Sequence, residues 1–179
     1  MKDEAHRVLT IARRLQAVSP TPAAPSEQDE VPDRPAGVDL YDCLISDPQL
    51  RKATRGLFAG AHFAQAVLEG CKYLNRRVRA RTGIDTDGAD LMRTAFSPSK
   101  PLLRLNRLQT ESDRSEQRGY MDMLAGLMTG VRNPRAHDDR ADDAMAALSL
   151  LVAMSHYLAL INGATRTRRR TSTRAGSKA

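Results

Sequence analysis

The chain has 179 residues, a formal net charge of +7, and 41% hydrophobic and 27% charged residues, which is room for one domain of ordinary size with flanking segments. Glycine and proline number 11 and 9, too few for a fibrous or wholly disordered chain. The positive excess is local: residues 163–179 hold Arg166, Arg168, Arg169, Arg170, Arg174 and Lys178 and no acid, and without them 22 basic groups face 21 acidic ones.

Taken in chain order, residues 3–18 place Ala5, Val8, Ile11, Leu15 and Val18 at helical spacing, which predicts a short amphipathic helix. Lys2, Asp3, Glu4 and Arg7 interrupt the apolar run that a signal peptide would need. Residues 19–37 carry five of the nine prolines and almost no large apolar side chain, the composition of a linker. Order is expected to resume near Val38. Asp47-Pro48 reads as an N-cap followed by proline at the first helical position, opening a helix to about Phe58. The next helix sets Phe63, Val67, Cys71, Leu74 and Val78 on one face. It ends in Arg76, Arg77, Arg79 and Arg81 before Gly83, cations that suit a helix C-terminus and a residue that suits C′.

Residues 84–111 read as irregular, with a short helix over 89–96. A long helix follows from Ser112, with Tyr120, Leu124, Leu127 and Val131 on one face. Gly126 and Gly130, four apart, predict a close approach of another backbone. Pro134 is expected to end this helix by forcing the residue before it out of the helical region. Asp138, Asp139, Asp142 and Asp143 crowd the start of a last helix. Residues 144–161 contain no acid, lysine or arginine, a length at the lower limit for a membrane span. Ser149, Ser155, His156 and five alanines favour instead the most buried helix of a bundle. No segment alternates as a strand does, and residues 165–178, lacking an apolar face, read as disordered. The pattern predicts an all-α antiparallel bundle of four to five helices over residues 38–162. Cys43 and Cys71, 28 residues apart, form no metal-binding or redox spacing. They read as buried free thiols of a reducing, cytoplasmic compartment.

Familiar phosphate loops, nucleophile elbows and zinc signatures are lacking, and no metal or cofactor is expected. Chemistry concentrates in Gly130-Val131-Arg132-Asn133-Pro134-Arg135-Ala136-His137. Five residues of α-helix advance about 140° beyond a full turn, so an unbroken helix would point Arg132 and His137 apart. A break at Pro134 would let them share a pocket. A guanidinium offers planar donors to a phosphate, and an imidazole moves protons at neutral pH. Together they meet the needs of RNA cleavage by the neighbouring 2′-hydroxyl, with Asn133 orienting a phosphate oxygen or the imidazole. On the spacing alone, a plain helix stop in which Arg132 caps carbonyls is the stronger reading.

The whole string resembles the signature of the Ymh-type family of prokaryotic hypothetical proteins, a branch of the HEPN superfamily. Further segments extend the resemblance over residues 39–162. Asp47-Pro48 opens a helix as in that family. Gly60-Ala61-His62-Phe63-Ala64-Gln65-Ala66-Val67 is similar to a Gly-His-Tyr-x-x-Ala-Val segment with one residue inserted. Cys71-Lys72-Tyr73-Leu74, Thr82-Gly83, Gly88-Ala89-Asp90-Leu91-Met92, Ala95-Phe96-Ser97 and Gln117-x-Gly119 follow in order. The resemblance implies a HEPN-like bundle whose Arg–x4-6–His motif, matched by Arg132, Asn133 and His137, meets its copy in a homodimer. It implies a metal-independent endoribonuclease of phage defence or a toxin–antitoxin system, restrained by an antitoxin or other partner protein. A non-catalytic RNA-binding or protein-assembly module is the other reading. His62 is expected on a helix face of the bundle. Arg135 and the tail arginines Arg166, Arg168, Arg169, Arg170 and Arg174 are expected to bind nucleic acid through phosphates, with no membrane involved.

Overall fold

The computed structural model describes residues 37–137 and 141–167. The expected helix over residues 3–18, the linker up to residue 36 and the tail arginines beyond Thr167 lie outside the described residues. Described are seven α-helical segments: α1 (Val38–Leu44), α2 (Pro48–Ala59), α3 (Phe63–Thr82), α4 (Gly88–Phe96), α5 (Glu111–Gly126), α6 (Asn133–His137) and α7 (Ala144–Gly163). A π-helical turn over Leu127–Arg132 joins α5 to α6 without interruption, so the segments form six helical rods rather than four or five. The fold class is all-α.

Local chemistry sets most boundaries. Asp47 Oδ1 accepts the backbone N–H groups of Gln49 at 3.0 Å and Leu50 at 2.8 Å, and Pro48 needs no donor at the first helical position. Gly83 closes α3 in the left-handed region, φ 72°, with its N–H on the Arg79 carbonyl. Thr110 and Asp113 form a reciprocal capping box at the start of α5. The two N–H groups of Gln109 and Thr110 aimed at Asp113 hold its carboxyl below the usual range. Asp143 Oδ1 caps α7 through the Ala146 N–H at 2.8 Å.

The chain turns at Ala61, between Gly60 and His62, with φ 59°, and α3 starts at Phe63. His62 therefore precedes the helix, exposed at its N-cap, instead of lying on a helix face as expected.

α3 is the hub of the core. Its Ala66, Val67, Cys71, Leu74 and Val78 are fully buried, along with Leu50, Phe58, Leu91, Phe96, Leu151 and Leu158 from other rods. Tyr41, Phe58 and Phe63 stack at 5.0 and 5.2 Å between ring centroids, and Tyr41 keeps its hydroxyl satisfied on Thr54 at 2.7 Å. Burial raises the Tyr41 pKa from its ordinary value.

The tight glycine contact falls elsewhere than predicted, and it is with side chains. A Cβ at Gly126 or Gly130 would meet nothing within 4 Å, whereas one at Gly70 would lie 2.8 Å from Met154 Sδ and 3.0 Å from Leu151 Cδ2. The small residue that brings α3 against α7 is thus Gly70.

Two short strands of two residues each contradict the expectation of no strand. Leu103–Arg104 (β1) pairs antiparallel with Thr165–Arg166 (β2), and the Thr167 N–H reaches the Leu102 carbonyl at 2.9 Å. Residues 165–167, at the root of the basic tail, are therefore ordered. Gln117, fully buried, explains how the irregular segment holds together. It donates to the carbonyls of Phe96 and Leu103 at 3.0 and 2.9 Å and accepts the Leu105 N–H at 2.9 Å.

The last helix also departs from expectation. α7 is long and apolar enough to cross a membrane, alone among the described residues, yet only 39% of its apolar window is buried. Its inner face packs the core, while Met145 is 57% exposed. Cys71 is buried and Cys43 is exposed, neither in a disulfide; the expectation of burial fails for Cys43.

The glycines separate in thermal unfolding. Gly70→Ala should cost about 1–2 kcal/mol net, overpacking offset in part by better helix propensity. Gly126→Ala should gain up to about 1 kcal/mol.

Candidate functional site

Pro134 lies inside a helical run, not at its end. An α-helical register would assign the Gly130 carbonyl to the N–H of residue 134, which proline lacks, and would press the ring on that carbonyl. The π turn removes the conflict by passing bonds to the fifth residue: the Asn133 N–H reaches the Met128 carbonyl, and Asn133 remains helical at φ −62°, ψ −47°. Pro134 then sits in the first turn of α6, where its missing donor is tolerated. The expectation that Pro134 ends the helix is thus corrected. The widened turn, not a break, sets the relation between Arg132 and His137. Such single π turns recur at functional sites.

The two motif residues have different surroundings. Arg132, the last residue of the π turn, sends Nη2 to Asp87 Oδ2 at 3.0 Å. Its Nη1 lies against the start of α4, 3.6 Å from where a Cβ on Gly88 would be. Its Nε is buried with no hydrogen-bond partner. His137 ends α6 and is exposed. Among the described residues no hydrogen bond joins the imidazole to Arg132. Asn133 is exposed on the same run.

Asp87 in turn accepts a hydrogen bond from the Asn75 side-chain amide, and Asn75 Oδ1 accepts the Gly88 N–H at 3.0 Å. Asn75 is almost fully buried on α3. Neither residue was expected at the site from sequence. Asp87 reads locally as a helix N-cap, and Asn75 as a polar interruption of a core helix. Only the chain crossing brings them to Arg132.

Arg135 faces inward. Its guanidinium forms a two-pronged pair with Asp142 at 2.6 and 2.7 Å and donates to the Val131 carbonyl at 2.9 Å, with both side chains 5% exposed. Arg135, expected to bind nucleic acid, is thus engaged in a buried ion pair. The pair fastens the segment before α7 to the carbonyl side of the π turn. Burial pushes the Cys71 thiol up to about 12 despite the nearby Arg135 and Arg132 cations, which disfavours its thiolate.

The remaining basic residues divide similarly. Arg166 lies on β2, exposed, and its Nη2 reaches the Thr82 carbonyl at 3.4 Å. Arg168, Arg169, Arg170 and Arg174 lie outside the described residues. Arg81 serves another helix than its own, collecting the carbonyls of Ile161, Asn162 and Ala164 at the C-terminus of α7. Arg79 pairs with Asp85, and Arg77 bonds Asn162. Among the described residues no group of three or more His, Cys, Asp or Glu is placed to hold a metal ion.

The fold and site define an all-α bundle in which one rod, widened by a π turn, carries an arginine paired to a fixed carboxylate and a histidine open to solvent. The chain belongs to the Hypoth_Ymh family, described as a protein of unknown function, which it matches over residues 45–161. No curated protein and no solved structure matches it.

Removing Arg135 strands Asp142 in the interior. Arg135→Ala should lower the unfolding free energy by about 3–5 kcal/mol, read by thermal or urea unfolding, whereas His137→Ala, on the surface, should shift it by no more than about 0.5 kcal/mol.

Proposed function

We propose that the chain is a HEPN-type, metal-independent endoribonuclease acting as a homodimer in phage defence or a toxin–antitoxin system. The observation that carries the reading is the placement of Arg132 and His137 on one rod. The guanidinium is oriented at the junction of α3 and α4, and the imidazole is open to solvent. Arg132 binds the scissile phosphate and stabilises the charge that develops on it. The RNA 2′-hydroxyl attacks the adjacent phosphorus, the 5′-oxygen leaves, and the products are a 2′,3′-cyclic phosphate and a 5′-hydroxyl. His137 moves a proton, and Asn133 assists in orientation. General base and general acid require two titrating groups, and each chain supplies one imidazole in the motif. A second copy supplies the other.

The open face of α7 supports a homodimer. It is free of charge through residues 144–161 and exposes Met145, while Met123 is 46% exposed on α5. Uncharged apolar patches of this kind mark interfaces, and a two-fold axis requires a self-complementary one. The tail arginines add a salt-sensitive phosphate tether.

A non-catalytic RNA-binding or assembly module is the second reading. The Asp87 carboxylate favours its protein-assembly form, because Arg132 already has an ion-pair partner within the chain. End-labelled RNA incubated with pure protein in excess EDTA separates the two. On the enzymatic reading, native protein yields fragments ending in cyclic phosphate. His137→Ala then lowers the rate by at least about a hundredfold, the lower range of general acid–base contributions, with RNA binding retained. Equal cleavage by native, His137→Ala and Arg132→Ala proteins would sink the assignment. Intact RNA throughout, with binding preserved, would support the module.

A further inference from the structure

Position 87 faces hydrogen-bond donors on both sides. Asn75 is oriented first: its Oδ1 accepts the Gly88 N–H at 3.0 Å, which turns its Nδ2 toward Asp87 Oδ1. From the other side Arg132 Nη2 donates to Asp87 Oδ2 at 3.0 Å. A side chain between two such donors must accept on both terminal atoms. At this length only an ionised carboxylate does so. Asparagine in either orientation would set its NH2 against one of the two donors.

The relay is anchored at its inner end and open at its outer end. Asn75 is 5% exposed, while the side chains of Asp87 and Arg132 are 49% and 26% exposed. An ion pair that open contributes little to stability. Its consequence is orientation: Nη2 is held, Nη1 lies against Gly88, and the guanidinium plane is restrained while both terminal nitrogens keep N–H groups to spare.

We infer that Asp87, oriented by Asn75, is the positioning residue for the Arg132 guanidinium, setting its plane before a phosphate arrives. The inference rests on reading Arg132 as the phosphate-binding cation. The carboxylate lowers the net charge Arg132 presents and in exchange removes the rotational freedom that binding would otherwise have to quench.

The amide and the carboxylate can be exchanged, which provides the test. In N75D/D87N, residue 75 accepts both the Gly88 N–H and the new amide, and residue 87 accepts from Arg132, so each hydrogen bond returns. In D87N alone, two donors collide. The experiment compares native protein, D87N and the double variant by side-chain 15N NMR of Arg132, RNA cleavage and thermal unfolding. Hindered rotation should keep the Arg132 Nη signals separate in the native protein, D87N should merge them at unchanged Tm, and the double variant should separate them again. On RNA, D87N should lose about ten- to a hundredfold in kcat, the scale of a misplaced catalytic group, with recovery in the double variant. Arg132 signals indifferent to D87N, or a kcat that rises in D87N, would overturn the inference. If no protein cleaves RNA, the ribonuclease reading fails and the NMR pattern alone decides the role of Asp87.

Discussion

A proline within the last turns of a helical rod is the constraint on which the site depends. Pro134 cannot donate the hydrogen bond that an α-helix would assign to it, and the chain answers by widening the preceding turn over Leu127–Arg132 instead of stopping. Three consequences follow from that adjustment. Asn133 stays helical, so the rod continues to His137. Arg132 comes off the end of the wide turn against Asp87. Arg135 folds back on the Val131 carbonyl and reaches Asp142, fixing where the chain turns toward α7.

The rest of the bundle holds that rod in place from two directions. Gly70 lets α7 approach α3 closely, and Gln117 ties the irregular segment between α4 and α5 to the long rod with three hydrogen bonds. Arg81, at the end of α3, neutralises the carbonyl end of α7, a favourable use of a cation at the negative pole of a helix. The same end of α3 carries Thr82 and Gly83, against which Arg166 rests. The ordered root of the basic tail is thereby fixed to the helix that also supplies Asn75.

Elements governed by neighbouring residues were legible in the sequence. Asp47-Pro48 starts a helix, Gly83 ends one, Phe63, Val67, Cys71, Leu74 and Val78 lie on one face, and Asp143 begins the last helix, because caps and periodicity are local physics. Elements decided by distant partners were not legible. The two-residue strands exist only because Leu103 meets Arg166, and nothing in either dipeptide signals the pairing. Gly126 and Gly130 share the spacing of a close contact, yet the contact is made by Gly70, which has no such signature. At the site, Arg132 and His137 stood out as chemistry-bearing residues. Arg135, identical in type to Arg132 and three residues away, could be separated from it only by the depth of Asp142. Asp87 was hidden for the same reason: its partners come from α3 and from the π turn.

Arginine for charge and histidine for proton movement become a catalytic pair only if one phosphate can touch both. Membership of a family of unknown function does not supply that geometry. The most direct measurement is a crystal structure of the protein with an RNA oligonucleotide carrying 2′-deoxy substitutions, which removes the attacking hydroxyl while keeping the phosphates. The account predicts one phosphate on Arg132, whose guanidinium keeps its bond to Asp87, with a His137 imidazole from the same chain or its copy within about 2.6–3.2 Å of a reacting oxygen. An oligonucleotide bound away from Arg132, or a phosphate there with every His137 out of reach, would contradict it.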